Sequence, residues 1–350
     1  PIRERDVEFL KERAVAMLKN SGHEEISLSS LSSSDYSCLQ ELVYFLIDTF
    51  KGDGVNISLP SLRIDAFALD VMSKVQDVNK SSLTFAPEAG SQRLRNVINK
   101  GLTEEVILKG AMDAFLGGWN KVKLYFMLGL PTETNEDIEG IALLSNEIAK
   151  EYYTIPKPER NGKVQITTST SFFVPKPFTP FQWTRMATKD EFDEKRKVLS
   201  AALKTQLNAK SIKYNWHDGE LTMLEGVFAR GDRRTAKLLY DAYKAGCLFD
   251  SWSEYFRNDL WMEQFEKNGL SLDFYTSRER EKDELLPWDF IDAGVTKEFL
   301  WREYRKAKEE QITPNCRKGC AGCGAKQFHG GVCYEPRNEE GESIKNDSTN

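Results

Sequence analysis

Residues Lys121–Ile138 read KVKLYFMLGLPTETNEDI. The first part, Lys121–Leu128, is rich in branched and aromatic side chains that nearly alternate with polar ones, which is the pattern of a strand. Gly129 and Pro131 punctuate its end. The sequence then predicts a helix over Glu136–Glu151. A strand feeding directly into a helix is half of a βαβ crossover, so the surrounding sheet is expected to be parallel.

The same rhythm extends in both directions. Upstream, strands are predicted at Glu25–Leu31, Val55–Leu59 and Ser82–Ala86, the last ended by Pro87. Helices are predicted at Asp6–Asn20, Asp35–Phe50 with Asp35 as its cap, Asp65–Val75, and Thr103–Leu116 capped by Thr103. Downstream, Val164–Val174 is a strand, followed by a helix over Lys189–Leu207. The chain opens on a helix with no strand before it, so one strand is expected upstream of Pro1. The fold class is therefore α/β: a partial (β/α)6 TIM-like barrel lacking its first strand. Active sites of such barrels lie at the C-terminal ends of the strands.

From about Asn208 the strand signals fade, and helical stretches follow at Gly219–Ala229, Arg234–Ala245, Trp252–Asn268 and Lys297–Glu309. The expected domains are 1–207 for the barrel, 208–310 for a mostly helical region, 311–335 for a Cys-rich segment and 336–350 for a disordered polar tail.

The chain has 350 residues, 40% hydrophobic and 29% charged, with a net charge of −6. That acidic balance disfavours non-specific binding to nucleic acid or anionic lipid. It leaves room for a local basic patch, for which Arg230, Arg233 and Arg234 are candidates, though such a run is more often a solvated loop. The longest apolar run, near Leu124–Leu130, is too short to span a bilayer, and the charged opening residues do not form a signal peptide. A cytoplasmic location is expected.

Of the six cysteines, Cys38 and Cys247 are isolated in apolar surroundings and read as core residues. Cys316, Cys320, Cys323 and Cys333 cluster near the C-terminus. In a reducing compartment such spacing points to a metal before disulfides. An iron–sulfur cluster and a structural zinc both suit four thiolates, and His329 is a lesser candidate ligand.

Several strand-end segments together resemble the radical S-adenosylmethionine (SAM) superfamily. They are SLPSLRID (Ser58–Asp65), TFAPEAGSQRLRNVINKG (Thr84–Gly101), KLYFMLGLPTETNEDI (Lys123–Ile138), VPKPFTPFQW (Val174–Trp183) and LEGVFARGDRR (Leu224–Arg234). Their order most resembles the members that carry a cobalamin-type domain ahead of the barrel and cysteines behind it. The resemblance implies SAM and a 4Fe–4S cluster as cofactors, cobalamin in the intact parent, and a reductant such as flavodoxin or ferredoxin. The family's Cys-x3-Cys-x2-Cys loop follows its first strand, so by resemblance it would precede Pro1, and the isolated chain is expected to be inactive. In such enzymes an electron from the cluster cleaves the sulfonium C–S bond, and the resulting radical abstracts hydrogen from substrate, with methyl or sulfur transfer among the possible outcomes.

By resemblance, SAM would be held at the strand ends. Ser29 and Ser30, with Ser32 beside them, would accept from its ammonium, Arg63 would pair with its carboxylate, and Glu88 would bind ribose hydroxyls or the ammonium. Gly129 and Pro131 would let the backbone approach adenine. Arg93 and Arg95 are expected in solvent or bracing the adjacent loop, Glu133 and Asp137 as helix N-terminal acids, and Lys176 and Trp183 in a stiff Pro-rich connection or on the substrate side. His217 and Asp218 form a candidate acid–base pair, though a surface histidine is the plainer reading. The trio Cys316, Cys320 and Cys323 repeats the cluster spacing, but it follows the barrel and is expected to face away from the rim. The competing function is a non-catalytic binding or scaffold module around a structural zinc.

Overall fold

The computed structural model describes residues 4–28, 36–58, 83–316 and 318–328. Ser29, Ser30, Ser32, Asp35, Arg63, the predicted helix Asp65–Val75, His329, Cys333 and the tail lie outside the described residues.

Capping decides where most helices begin. The Asp6 carboxylate accepts from the Phe9 amide at 3.0 Å and opens α1 (Val7–Ser21), which ends on Gly22 at φ 70. The expected α2 starts later than its sequence suggests, at Leu39, and runs to Thr49. Cys38 takes its cap position without a side-chain hydrogen bond and is half-buried, not core. Two short strands flank α2: β1 (Glu25–Ser27) and β2 (Asn56–Ser58), paired in parallel.

The second parallel sheet has the order β3-β4-β5-β6. It comprises β3 (Leu83–Glu88), β4 (Lys121–Leu128), β5 (Gln165–Phe172) and β6 (Ile212–Trp216). Its strands are joined through α3 (Gln92–Val97) and α4 (Glu104–Leu116), then α5 (Asn135–Thr154), then α6 (Lys189–Thr205). The parallel α/β architecture matches the sequence reading. β6 corrects it: IKYNW was counted with the helical region, yet it pairs with β5 from Ile166↔Ile212 to Thr170↔Trp216. Its signal was short, and on a sheet edge three of its five residues face solvent.

Beyond β6 the chain is helical: α7 (Gly219–Arg230), α8 (Arg234–Ala245), α9 (Asn258–Lys267), α10 (Leu272–Tyr275) and α11 (Lys297–Lys308). The helix expected from Trp252 begins only at Asn258, because Trp252 and Tyr255 are exposed in turns and give that stretch no buried face.

The main core lies between the sheet and its helices. Leu124, Phe126 and Leu128 of β4 pack against Ile138, Ile141 and Ile148 of α5, all at most 1% exposed. Cys247, as expected, is buried, in a second cluster with Leu238, Trp261 and Phe265.

The loop after β3 lies tightly against the main chain of α5. A Cβ on Gly90, in the loop after β3, would overlap the Ile141 amide nitrogen and lie 2.5 Å from the Asp137 carbonyl. Neither atom belongs to a flexible side chain, so the overlap could not be relieved locally. Gly90→Ala should lower the melting temperature by several degrees, a loss of about 3 kcal/mol. Gly219→Ala, where the added Cβ meets only ordinary contacts at 3.7 and 3.8 Å, should leave it unchanged or raise it. Equal melting temperatures for the two variants would contradict this account of Gly90.

Candidate functional site

The C-terminal ends of β3, β4 and β5 carry loops that meet on one edge of the sheet. Pro87 has no N–H for the ladder, and the β3–β4 register shifts between Phe85 and Glu88. The bulge leaves Glu88 at φ 68, an uncommon conformation for a residue with a side chain. Its carboxylate accepts from Lys100 Nζ at 3.1 Å, with 26% of the Glu88 side chain and 34% of the Lys100 side chain exposed.

Arg95 holds the loop that follows. Its guanidinium is fully buried and donates to the carbonyls of Ala89 at 3.0 Å, Gly90 at 3.1 Å and Leu102 at 3.1 Å. Burial pushes its pKa below the ordinary arginine value. Of the two readings offered for this arginine, bracing is correct and solvent exposure is not.

The β4 loop is latched to the β3 loop by Asp137. This carboxylate is 4% exposed and accepts from Arg93, the Ser91 hydroxyl and the Thr134 amide, the last at 2.8 Å. Arg93 also donates to the Thr132 carbonyl at 2.8 Å. Burial would push the Asp137 carboxyl up, but hydrogen bonds from Arg93 and Ser91 outweigh it and hold the group below its ordinary value. Asp137 is therefore both a helix-start acid and the link between two strand-end loops.

Glu133 is not a helix-start acid. Its side chain is 2% exposed, accepts from the Gly129 amide at 2.8 Å and pairs with Lys195 of α6 at 2.9 Å. Burial nevertheless pushes its pKa up. Gly129 itself sits at φ 84, which favours glycine. The direction a Cβ would take is filled by Phe192 Cε1 at 2.7 Å, so helix packing as well as the turn requires glycine there. Pro131 lies between Gly129 and Thr132 (φ 65), the two left-handed residues that make the turn. The glycine and proline signals were legible. The pairing of Glu133 with Lys195, sixty-two positions away, left no local mark in the sequence.

The remaining candidates separate. Trp183 is 0% exposed and packs with Trp301 and Tyr304, so it is a core residue. Lys176 is half exposed and pairs with Glu225 at 2.5 Å. Asp218 caps α7 by accepting from Leu221, and His217 is exposed. Arg230, read as part of a solvated run, is fully buried.

The cysteine segment lies nearer the rim than expected. The Asn99 amide pairs with the Thr313 backbone in both directions, each at 3.0 Å. Lys306 donates to the Thr313 hydroxyl at 2.9 Å, the Thr296 amide to the Cys323 carbonyl at 2.9 Å, and Arg302 to the Ala321 carbonyl. α11 itself packs on α3 and on residues 180–183, and its Ala307 joins the buried cluster that includes Ala89, Leu130 and Phe173. A cavity of about 880 Å³ separates these parts, lined by Val97, Ile98, Phe181, Phe299, Cys316, Cys320 and Cys323 among others. The segment follows the four-stranded sheet in sequence, yet α11 returns it to the strand-end side. Among the described residues no three Cys, His, Asp or Glu are gathered closely enough to hold a metal ion. No helix among them is long and apolar enough to cross a membrane.

Residues 1–144 match the family model of the Radical SAM superfamily. This part of the chain belongs to the radical SAM superfamily. It is also 32% identical over 265 residues to the uncharacterized protein MJ0966 of Methanocaldococcus jannaschii, an alignment covering 76% of this chain and 54% of that protein. The chain thus spans about half the length of the curated relative it matches.

Asp137→Asn should destabilise the protein by about 3 kcal/mol, because it strands Arg93 beside a neutral amide. The sign of the pH effect follows from the lowered native pKa. Wild-type stability from this group is present above the ordinary carboxylate pKa and is lost as pH falls through the native value. Denaturant titrations across the acid range should therefore show a shallower acid decline in Asp137→Asn. Parallel curves for the two proteins would refute the latch.

Proposed function

We propose that the chain is the SAM-binding barrel and C-terminal region of a radical SAM enzyme, and that Glu88 is its contact to the cationic or hydroxyl-bearing part of SAM. The carrying observation is a contrast among three rim acids. Glu133 and Asp137 are 2% and 4% exposed and fully committed to their partners. Glu88 is more open, and its ion pair with Lys100 is partly solvated. Such a pair is worth about 0–1 kcal/mol, so a ligand can displace it.

The rim residues fit one part of SAM: an available carboxylate on a strained, fixed backbone, beside the Gly129–Pro131 turn. When bound, SAM and its cluster supply the reductive C–S cleavage that starts the reaction. This chain's own residues act by placement. Arg95 and Asp137 fix the two loops, Glu133 fixes Gly129, and Glu88 presents its carboxylate to the ligand. Ser29, Ser30 and Arg63 complete the proposed contact set by family resemblance. Cobalamin is a further proposed cofactor of the whole protein by the same resemblance. Methyl or sulfur transfer, in a cytoplasmic setting with a flavodoxin- or ferredoxin-like donor, is the reaction class this layout suits.

The cysteine segment is a second proposed site, where Cys316, Cys320, Cys323 and Cys333 hold an auxiliary iron–sulfur cluster or a zinc ion. Its docking on the strand-end side supports a place in the same reaction apparatus.

Two measurements test this reading. In protein that carries the cluster loop, Glu88→Gln should weaken SAM binding about tenfold, or roughly 1.4 kcal/mol, by equilibrium dialysis. An unchanged affinity would remove Glu88 from the site. The present chain, reconstituted with iron and sulfide, should yield no 5′-deoxyadenosine from SAM. Product that disappears in Cys320→Ala would instead make the C-terminal cysteines the catalytic cluster.

A further inference from the structure

Two arginines in the helical region are buried without a carboxylate partner among the described residues. Arg230, the last residue of α7, is 0% exposed, and Arg280 is 4% exposed. Both are held by main-chain carbonyls of the same two segments. Arg230 donates to the Thr276 carbonyl at 3.0 Å and, more weakly, to that of Gln182 at 3.4 Å. Arg280 donates through Nη2 to the Tyr275 carbonyl at 3.1 Å, and its amide donates to the Trp183 carbonyl at 2.8 Å. The two side chains thus bond to the adjacent carbonyls of Tyr275 and Thr276, and the Arg280 charge acts on Arg230.

Carbonyl dipoles do not neutralise two cations. Burial lowers the pKa of Arg230 to about 9, with the Arg280 charge contributing, and burial lowers that of Arg280 to about 10. The nearby acid, Glu284, is taken by Arg278 through bonds of 2.8 and 2.6 Å. Among the described residues neither Arg230 nor Arg280 forms an ion pair. Each also keeps a buried N–H group with no acceptor: Nε on Arg230 and Nη1 on Arg280. The Trp183 indole N–H and the Thr184 hydroxyl, on the same connector as Gln182, are likewise buried without a partner.

An uncompensated buried charge costs several kcal/mol, and an unmet buried donor adds to that. A fold that keeps two such cations together needs a counter-charge. We propose that Arg230 and Arg280 enclose a small monovalent inorganic anion of halide size. The unmet donors lie on both groups. Nε of Arg230 carries one free N–H and Nη1 of Arg280 carries two, and a single compact acceptor can meet one from each side. The near-complete burial of both side chains leaves no path for an organic acid. The anion would tie α7 and the 275–280 segment to the connector that follows β5, and so fix the wall behind the rim.

The test is bromide in place of chloride. Crystals of the protein grown in bromide should show one anomalous peak between the two guanidinium groups. At constant sodium and ionic strength, exchanging gluconate for chloride or bromide should raise the melting temperature saturably, by roughly 3 °C. Arg280→Met, which keeps the bulk and removes the charge, should abolish both effects. Electron density for water alone, a tetrahedral oxyanion at that position, or identical melting in chloride and gluconate would each overturn the proposal. If Arg280→Met does not fold, the bromide peak in the wild-type protein decides the matter.

Discussion

The strand-end face depends on one buried carboxylate. Asp137 is 4% exposed, so its charge persists only because every side of it meets a donor. Arg93 and Ser91 come from the β3 side, and the Thr134 amide from the β4 side. The same helix start lies against Gly90 so closely that a methyl group would not fit. A salt link and a steric fit therefore act at the same place, and together they set the spacing between the loops of Glu88 and Gly129. Local strain follows from this constraint: Glu88 and Thr132, on either side of the latch, both adopt left-handed backbone that an unconstrained residue would leave.

The sequence showed the elements more clearly than their partnerships. Strand β4 and the helices capped by Asp6 and Thr103 were legible because their signals are local: alternation along a strand, or an oxygen placed to accept the first amides. β6 was missed because a five-residue edge strand buries little and so alternates weakly. At the site, Glu88, Gly129 and Pro131 stood out as turn and charge residues at strand ends. The role of Glu133 and the linking role of Asp137 did not, because each is defined by a partner far away in sequence, and for Arg95 bracing was one of two readings left open. Trp183 and Arg230 show the opposite error. Residues that look reactive in a list were spent on the interior.

The cysteine segment illustrates how topology can mislead. Counting from the first strand, a motif that follows the barrel should leave the rim. Helix α11 reverses that expectation by packing on α3 and on residues 180–183, with Ala307 in the same buried cluster as Ala89, Leu130 and Phe173. The chain leaving α11 is then caught at once, since Asn99 supplies a side-chain amide where a neighbouring strand would supply a peptide group.

That attachment has a mechanical consequence. Asn99 precedes Lys100, the partner of Glu88, and is itself left-handed at φ 52. The residue that anchors the cysteine segment and the residue that restrains the rim acid are therefore joined by one peptide bond. The Asn99 pairing is on the exposed side and is made of two ordinary hydrogen bonds, each worth about 1 kcal/mol. The Lys100 ion pair is no stronger. Both are soft compared with the Asp137 latch beneath them. Any movement of the cysteine segment would thus reach Glu88 before it disturbed the loops that carry it.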